Sequence, residues 1–222
     1  MVSEVMLQQT QVDRVVPKYN AFIKKFPTAK ALARAPLTDV LRLWSGLGYN
    51  RRAKYLWEAA KRWPKIHRGE TSVDFESLPG VGPYTASAVR VFAYNEPHVL
   101  IETNIRTVFL HHLFPKSKKV PDSKLVPYIV LLLKGQRPRK WYAALMDYGS
   151  YLKKLHPNPS RRSAGHNKQS KFKGSDREIR GAILRAHLKG EQLSKLQFDS
   201  ARIKVLTVAM RKEGLLARIA DK

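Results

Sequence analysis

Residues 78–104 read LPGVGPYTASAVRVFAYNEPHVLIETN, and this stretch constrains the fold more than any other. Gly80 and Gly82 let the backbone turn sharply and approach a ligand closely. Pro83 suits the first position of the helix that follows. The amides of Gly80, Val81 and Gly82, together with that helix start, form an anion site. Twenty residues after Gly82 comes an acid, Glu102, with Asn104 two residues further on, at the head of another helical pattern.

The remaining sequence is helical by its period and punctuation. Val12, Val15, Val16, Tyr19, Phe22, Ile23 and Phe26 recur at helical spacing until Pro27. Thr28 is placed to cap a short helix, and residues 37–44 form another before Gly46-Leu47-Gly48. Helices are expected over 49–63, 103–113, 123–133 and 140–155. No run alternates as a strand, so the fold class is all-α. Residues 156–174, HPNPSRRSAGHNKQSKFKG, contain five basic residues, two Pro and two Gly. They read as a basic linker or a loop that contacts a polyanion. Beyond it, Ser175 and Glu178 are spaced as a capping box. Three short helices and a strand over LLARIA suit a winged-helix module, and a helical cap on the main fold suits the same pattern. The expected domains are therefore 1–155, a linker at 156–174 and a small module at 175–222.

Charge points to the partner. Lys and Arg number 42 against 17 Asp and Glu, a formal net charge of +25. Both parts of the chain share the excess, with 18 basic and 6 acidic residues in 151–222. A nucleic acid is the natural partner for such a surface. No apolar run reaches the eighteen or so residues that a membrane span needs. The first ten residues show no signal-peptide pattern, and a cytoplasmic, nucleoid-associated protein is expected. There is no Cys, which rules out disulfides and thiolate metal sites. His111 and His112 are adjacent and face different ways on a helix, so no metal site is expected from them.

Five strings then occur in a telling order: SEVMLQQTQV at 3–12, GLGY at 46–49, LPGVGPYTASAV at 78–89, IETNIRTV at 101–108 and MDYG at 146–149. This order resembles the MutY-type adenine glycosylases of the helix-hairpin-helix DNA glycosylase superfamily, over residues 1–155. The resemblance implies a role for each matching residue. Glu4 matches the acid that protonates the adenine ring. Glu102 falls where the family has an Asp that stabilises the cationic sugar and helps water attack. Tyr84 replaces the Lys of lyase-competent relatives, and Asn104 matches the family Asn. Gln8, Gln9 and Tyr49 match residues that wedge into the duplex and contact the opposing base. Gly80, Val81 and Gly82 match the phosphate-gripping hairpin.

The residue types suit that chemistry. Breaking an N-glycosidic bond leaves a cationic sugar, which a carboxylate stabilises. The departing purine needs a proton donor, so Glu4 must hold its proton by burial. The resemblance implies a monomeric, monofunctional enzyme that acts on a mispaired adenine in double-stranded DNA, opposite 8-oxoguanine or G. Removal of thymine or uracil, and a catalytically impaired lesion binder, are the alternatives. Three departures from the family bear on this reading. Glu102 is one methylene longer than Asp. No cofactor is expected, since the ligands of the family's iron–sulfur cluster are missing and Arg161, Arg162, Lys168, Lys171 and Lys173 occupy its place as DNA contacts. The tail is too short for the Nudix-like domain that recognises oxidised guanine.

Overall fold

The structure, a computed structural model, describes residues 1–63, 74–166 and 171–216. Eleven α-helices follow in order: α1 Val2–Leu7, α2 Val12–Lys25, α3 Ala29–Arg34, α4 Leu37–Trp44, α5 Arg51–Arg62, α6 Pro83–Val89, α7 Thr103–His112, α8 Val126–Leu133, α9 Pro138–Leu155, α10 Asp176–Lys189 and α11 Ser200–Lys212. Among the described residues there is no strand, only an isolated parallel bridge between Val120 and Ser163. The strand expected over LLARIA extends beyond the described residues, as does Lys168. No described helix is long and apolar enough to cross a membrane.

Local chemistry sets most helix ends. Thr28 caps α3 by accepting from Ala31 N at 3.1 Å. Asp199 caps α11 by accepting from Arg202 N at 2.7 Å. Gly190 ends α10 in the left-handed region at φ 71°. The expected capping box does not form, because Glu178 reaches past the N-cap amide of Ser175 to the residue before it. It accepts from the Gly174 amide at 2.6 Å, and Ser175 donates its hydroxyl to Phe172 O instead of accepting from the helix. Ser175 is both donor and acceptor, and the nearer carbonyl captures it.

The chain divides into two compact units, Met1–Val81 with Ser170–Lys222, and Gly82–Gln169. In the first, Phe22 packs edge-on to Phe26 and Trp44. Ile179, Ile183, Met210 and Leu215 of the tail are buried in that same core. Each such side chain contributes about 1.5–3 kcal/mol on burial, so the tail helices complete the core of α1–α5. Trp44 and Trp57 belong to this unit, and Trp44 is fully buried.

In the second unit, α7 lies along α9 around Ile105, Leu110, Ile129 and Tyr142. The Tyr142 hydroxyl accepts from Leu100 N at 3.0 Å and donates to His98 O at 2.8 Å. Burial raises its pKa. The segment after α9 is tied down by hydrogen bonds. Val120 N donates to Arg162 O at 2.8 Å, Ala164 N donates to Val120 O at 2.9 Å, and Arg162 NH2 donates to Leu110 O at 2.8 Å.

Candidate active site and nucleic-acid interface

In the first unit the site begins on α1. Glu4 stands in its first turn, half-buried. Gln8 closes the helix, and Gln9 follows with φ 55°. Tyr49 after the Gly46-Leu47-Gly48 turn also has a positive φ, 48°. A non-glycine residue in this region costs about 1–3 kcal/mol unless its surroundings hold it there.

Arg52 of α5 supplies the hold. One nitrogen of its guanidinium donates to Val5 O at 2.7 Å and Gln8 O at 2.6 Å. The other reaches Gly48 O at 3.2 Å, Leu47 O at 3.3 Å and Thr10 Oγ1 at 3.3 Å. One cation thus ties the end of α1 to the glycine turn. Its carbon sits 5.3 Å from the Tyr49 ring centroid and 5.5 Å from that of Trp44. Burial pushes its pKa down to about 10, against the opposing field of Tyr49. Arg14 also donates to Gly46 O, and Trp44 Nε1 donates to Gly48 O at 3.1 Å. The sequence reading missed Arg52. Its signal was an Arg three residues after GLGY, at the exit of a glycine turn where carbonyls need donors.

The two hairpin glycines differ. Gly80 has φ 73°, and a Cβ there would fall 2.6 Å from the Tyr55 Cβ. Gly80 is therefore required by both backbone and packing. Gly82 is the extended N-cap of α6, and a Cβ there would meet none of the described residues within 4 Å. Pro83 occupies the first turn of α6, as its φ preference predicts. Val81 is buried and donates its N–H to Leu78 O at 3.1 Å.

In the second unit Glu102 is the N-cap of α7. Its Oε1 accepts from Asn104 N at 2.5 Å and Ile105 N at 2.9 Å. Both amide bonds end on Oε1, so the cap does not consume Oε2. Burial pushes the Glu102 carboxyl above the usual carboxylate range, against the two amides, Lys153 and Arg106, which favour the ionised form. Arg106 is itself locked, with Nε and NH2 each donating to Asp122 at 2.7 Å. Asn104 Oδ1 is buried and has no hydrogen-bond partner. Tyr84, at the second position of α6, packs half-buried against the core of this unit.

Helix α9 positions Glu102 through two residues on one face, seven apart. Tyr142 grips the backbone of His98 and Leu100, just before Glu102. Gly149, the last letter of MDYG, lies so close to Asn104 that a Cβ would overlap its carbonyl group. Sequence reasoning recorded MDYG as a motif and assigned Gly149 no task; its need for a side-chain-free surface is visible only in the packing.

The sequence matches the HhH-GPD superfamily of base excision DNA repair proteins over residues 2–129. The chain belongs to that family. The adenine DNA glycosylase of Mycolicibacterium smegmatis is 34% identical over 203 residues, covering 83% of this chain and 69% of that protein. The adenine DNA glycosylase of Mycobacterium tuberculosis is 31% identical, covering 100% of this chain and 80% of that protein. The rat adenine DNA glycosylase is 42% identical over a shorter stretch, 54% of this chain and 27% of the rat protein. Among solved structures, a thermostable thymine-DNA glycosylase matches with TM-score 0.56 and 22% identity, over 67% of this chain and 71% of that one. A trapped endonuclease III–DNA intermediate matches with TM-score 0.52 and 18% identity, over 77% and 76%. These structural matches show the family's all-α glycosylase fold.

A Cys-ligated cluster does not fit this chain, which has no Cys. In the place resemblance gives it stands the turn Pro159–Arg162, capped by Asn158 and pinned to α7 through Arg162 and Leu110. The His156 ring lies 4.7 Å from that of His111. Among the described residues no group of His, Cys, Asp or Glu could hold a metal ion. The expected DNA contacts here are unequal. Arg161, Lys171 and Lys173 are exposed, whereas Arg162 is half-buried and holds the Leu110 carbonyl.

Proposed function

We propose that the protein is a monofunctional DNA N-glycosylase of base excision repair that hydrolyses the N-glycosidic bond of a flipped, mispaired adenine, opposite 8-oxoguanine or G. It acts as a monomer on chromosomal double-stranded DNA in the cytoplasm. The observation that carries this reading is the relationship to mycobacterial adenine DNA glycosylases over most of both chains. The site chemistry is consistent with it. Glu4 donates a proton to the adenine ring as the bond from C1′ to the base breaks, and the electron pair of that bond leaves with the base. A cationic sugar remains. The Glu102 carboxylate stabilises it through Oε2, and water adds to C1′ as its proton passes to that carboxylate. Flipping the base is offset by the hairpin's phosphate grip and by Gln8, Gln9 and Tyr49 in the duplex. Tyr84 has no amine and forms no Schiff base, so the product is an intact abasic strand.

An excision panel tests this, with each base in each pairing context and abasic product as the readout. Wild type removes adenine opposite 8-oxoguanine or G, and Glu4→Gln loses about 10²–10⁴-fold, the range for a positioned general acid. Equal, background-level product from both proteins would refute the reading. Excision of thymine or uracil alone would select the mismatch-thymine class, and tight abasic-DNA binding without turnover would select a lesion binder.

A further inference from the structure

A cavity of about 410 Å³ opens within the first unit between the GLGY turn, α5 and the tail. Four arginines line it, Arg51 and Arg52 from α5, Arg177 and Arg180 from α10, together with Tyr49 and the carboxylate Glu213. Gln8 and Gln9 line it as well. The tail arginines are placed by specific contacts. Arg177 NH1 donates to the Tyr49 hydroxyl at 3.0 Å, and its guanidinium lies 5.6 Å from the Tyr49 ring centroid. Arg180 pairs with Glu213, whose backbone carbonyl accepts from Lys54 Nζ at 2.6 Å. Arg52 is committed to the carbonyls of α1 and the glycine turn. Arg51, Arg177 and Arg180 therefore face one space, and Glu213 is the carboxylate among the described lining residues. Like charges so disposed repel until an anion enters, and the guanidinium fork fits phosphate in a bidentate manner.

We propose that this cavity is a second DNA-backbone site, separate from the hairpin. In it α10 of the tail presents Arg177 and Arg180 to a phosphate, and Glu213 is the counterion that Arg180 releases when the phosphate arrives. This makes the tail part of the DNA-reading surface as well as part of the core. Because Arg177 holds the Tyr49 hydroxyl, a phosphate bound here is reported directly to the residue expected to enter the duplex. The proposal rests on the DNA glycosylase reading for the identity of its anion.

The test is equilibrium binding of the full chain to a duplex with a non-cleavable abasic analogue, measured by anisotropy across a salt series. For Arg177→Gln and Arg180→Gln, the slope of log K against log salt becomes shallower by about one unit each. Counted from 1 M salt, that is about tenfold weaker binding at 0.1 M. Lys204→Gln, an exposed charge on α11 away from the cavity, leaves the slope unchanged. Glu213→Gln frees Arg180 and binds several-fold more tightly, a gain that partial unfolding cannot mimic. Slopes for the arginine variants equal to that of Lys204→Gln, or no gain from Glu213→Gln, would overturn the proposal. Wild type that excises adenine while these slopes stay fixed sinks the second backbone site alone. Wild type that binds with the expected slopes and excises nothing sinks the enzyme reading alone.

Discussion

Gly149→Ala isolates how the fold places Glu102. An alanine Cβ there would lie 2.6 Å from the Asn104 carbonyl carbon and 2.9 Å from its Cα. Ordinary contact begins near 3.4 Å, so the first turn of α7 must retreat by about 1 Å. Glu102 caps that turn through the amide of Asn104 itself and moves with it. A misplacement of about 1 Å is worth about a hundredfold in rate. The crowding destabilises the fold by about 1–3 kcal/mol, which lowers Tm by about 2–12 °C in a chain of this size. A solvent-facing helical Gly→Ala change would have the opposite sign, stabilising by about 0.5–1 kcal/mol. Single-turnover excision with enzyme in excess, run beside a thermal melt, reads both effects. Gly165→Ala is the control, since among the described residues its Cβ meets only Ser163 Oγ at 3.8 Å. A lowered Tm with wild-type excision would show that the position of Glu102 does not limit the reaction. An unchanged Tm and rate would refute the steric argument itself.

Three further outcomes follow from the geometry. Burial raises the Glu102 pKa above its unfolded value, so its stability contribution is complete below about pH 4 and is lost as pH rises through the folded pKa. Glu102→Gln should therefore melt higher than wild type at pH 7–8 while losing excision, with the melting advantage vanishing near pH 4; a constant difference across pH would contradict the burial argument. Arg52→Leu leaves the Val5 and Gln8 carbonyls without their donor, at about 1–3 kcal/mol for each such group, and Arg52→Lys recovers only part because a single ammonium cannot span both loops. Denaturant melts of the two variants that coincide with wild type would refute the clamp. Gly80→Ala combines a left-handed φ with a Cβ 2.6 Å from Tyr55, so abasic-DNA affinity and Tm should both fall, whereas Gly82→Ala should keep wild-type Tm.

How much of this was legible beforehand varies with the range of the interaction. Helix ends governed by one residue and its neighbours, such as Thr28, Gly190 and Asp199, can be read from the sequence because cap and turn energies act over three or four residues. Ser175 could not, since its hydroxyl had two nearby options and the carbonyl of Phe172 was the better placed. Charge alone indicated a polyanion, but not which arginines face it. Arg162 sits in the basic run yet bonds the Leu110 carbonyl inside, while Arg177 and Arg180 of the tail line a cavity.

The sequence by itself determined the all-α class and the family, because each rests on local period, turn chemistry or a contiguous motif. Only tertiary structure decided what supports them. Arg52 gathers carbonyls from positions 40 and more residues away in the chain, Gly149 makes room for Asn104, and the tail helices fill the core beneath α1 to α5. These are long-range matters of volume and unpaired carbonyls, which the residues state only once the chain has folded back on itself.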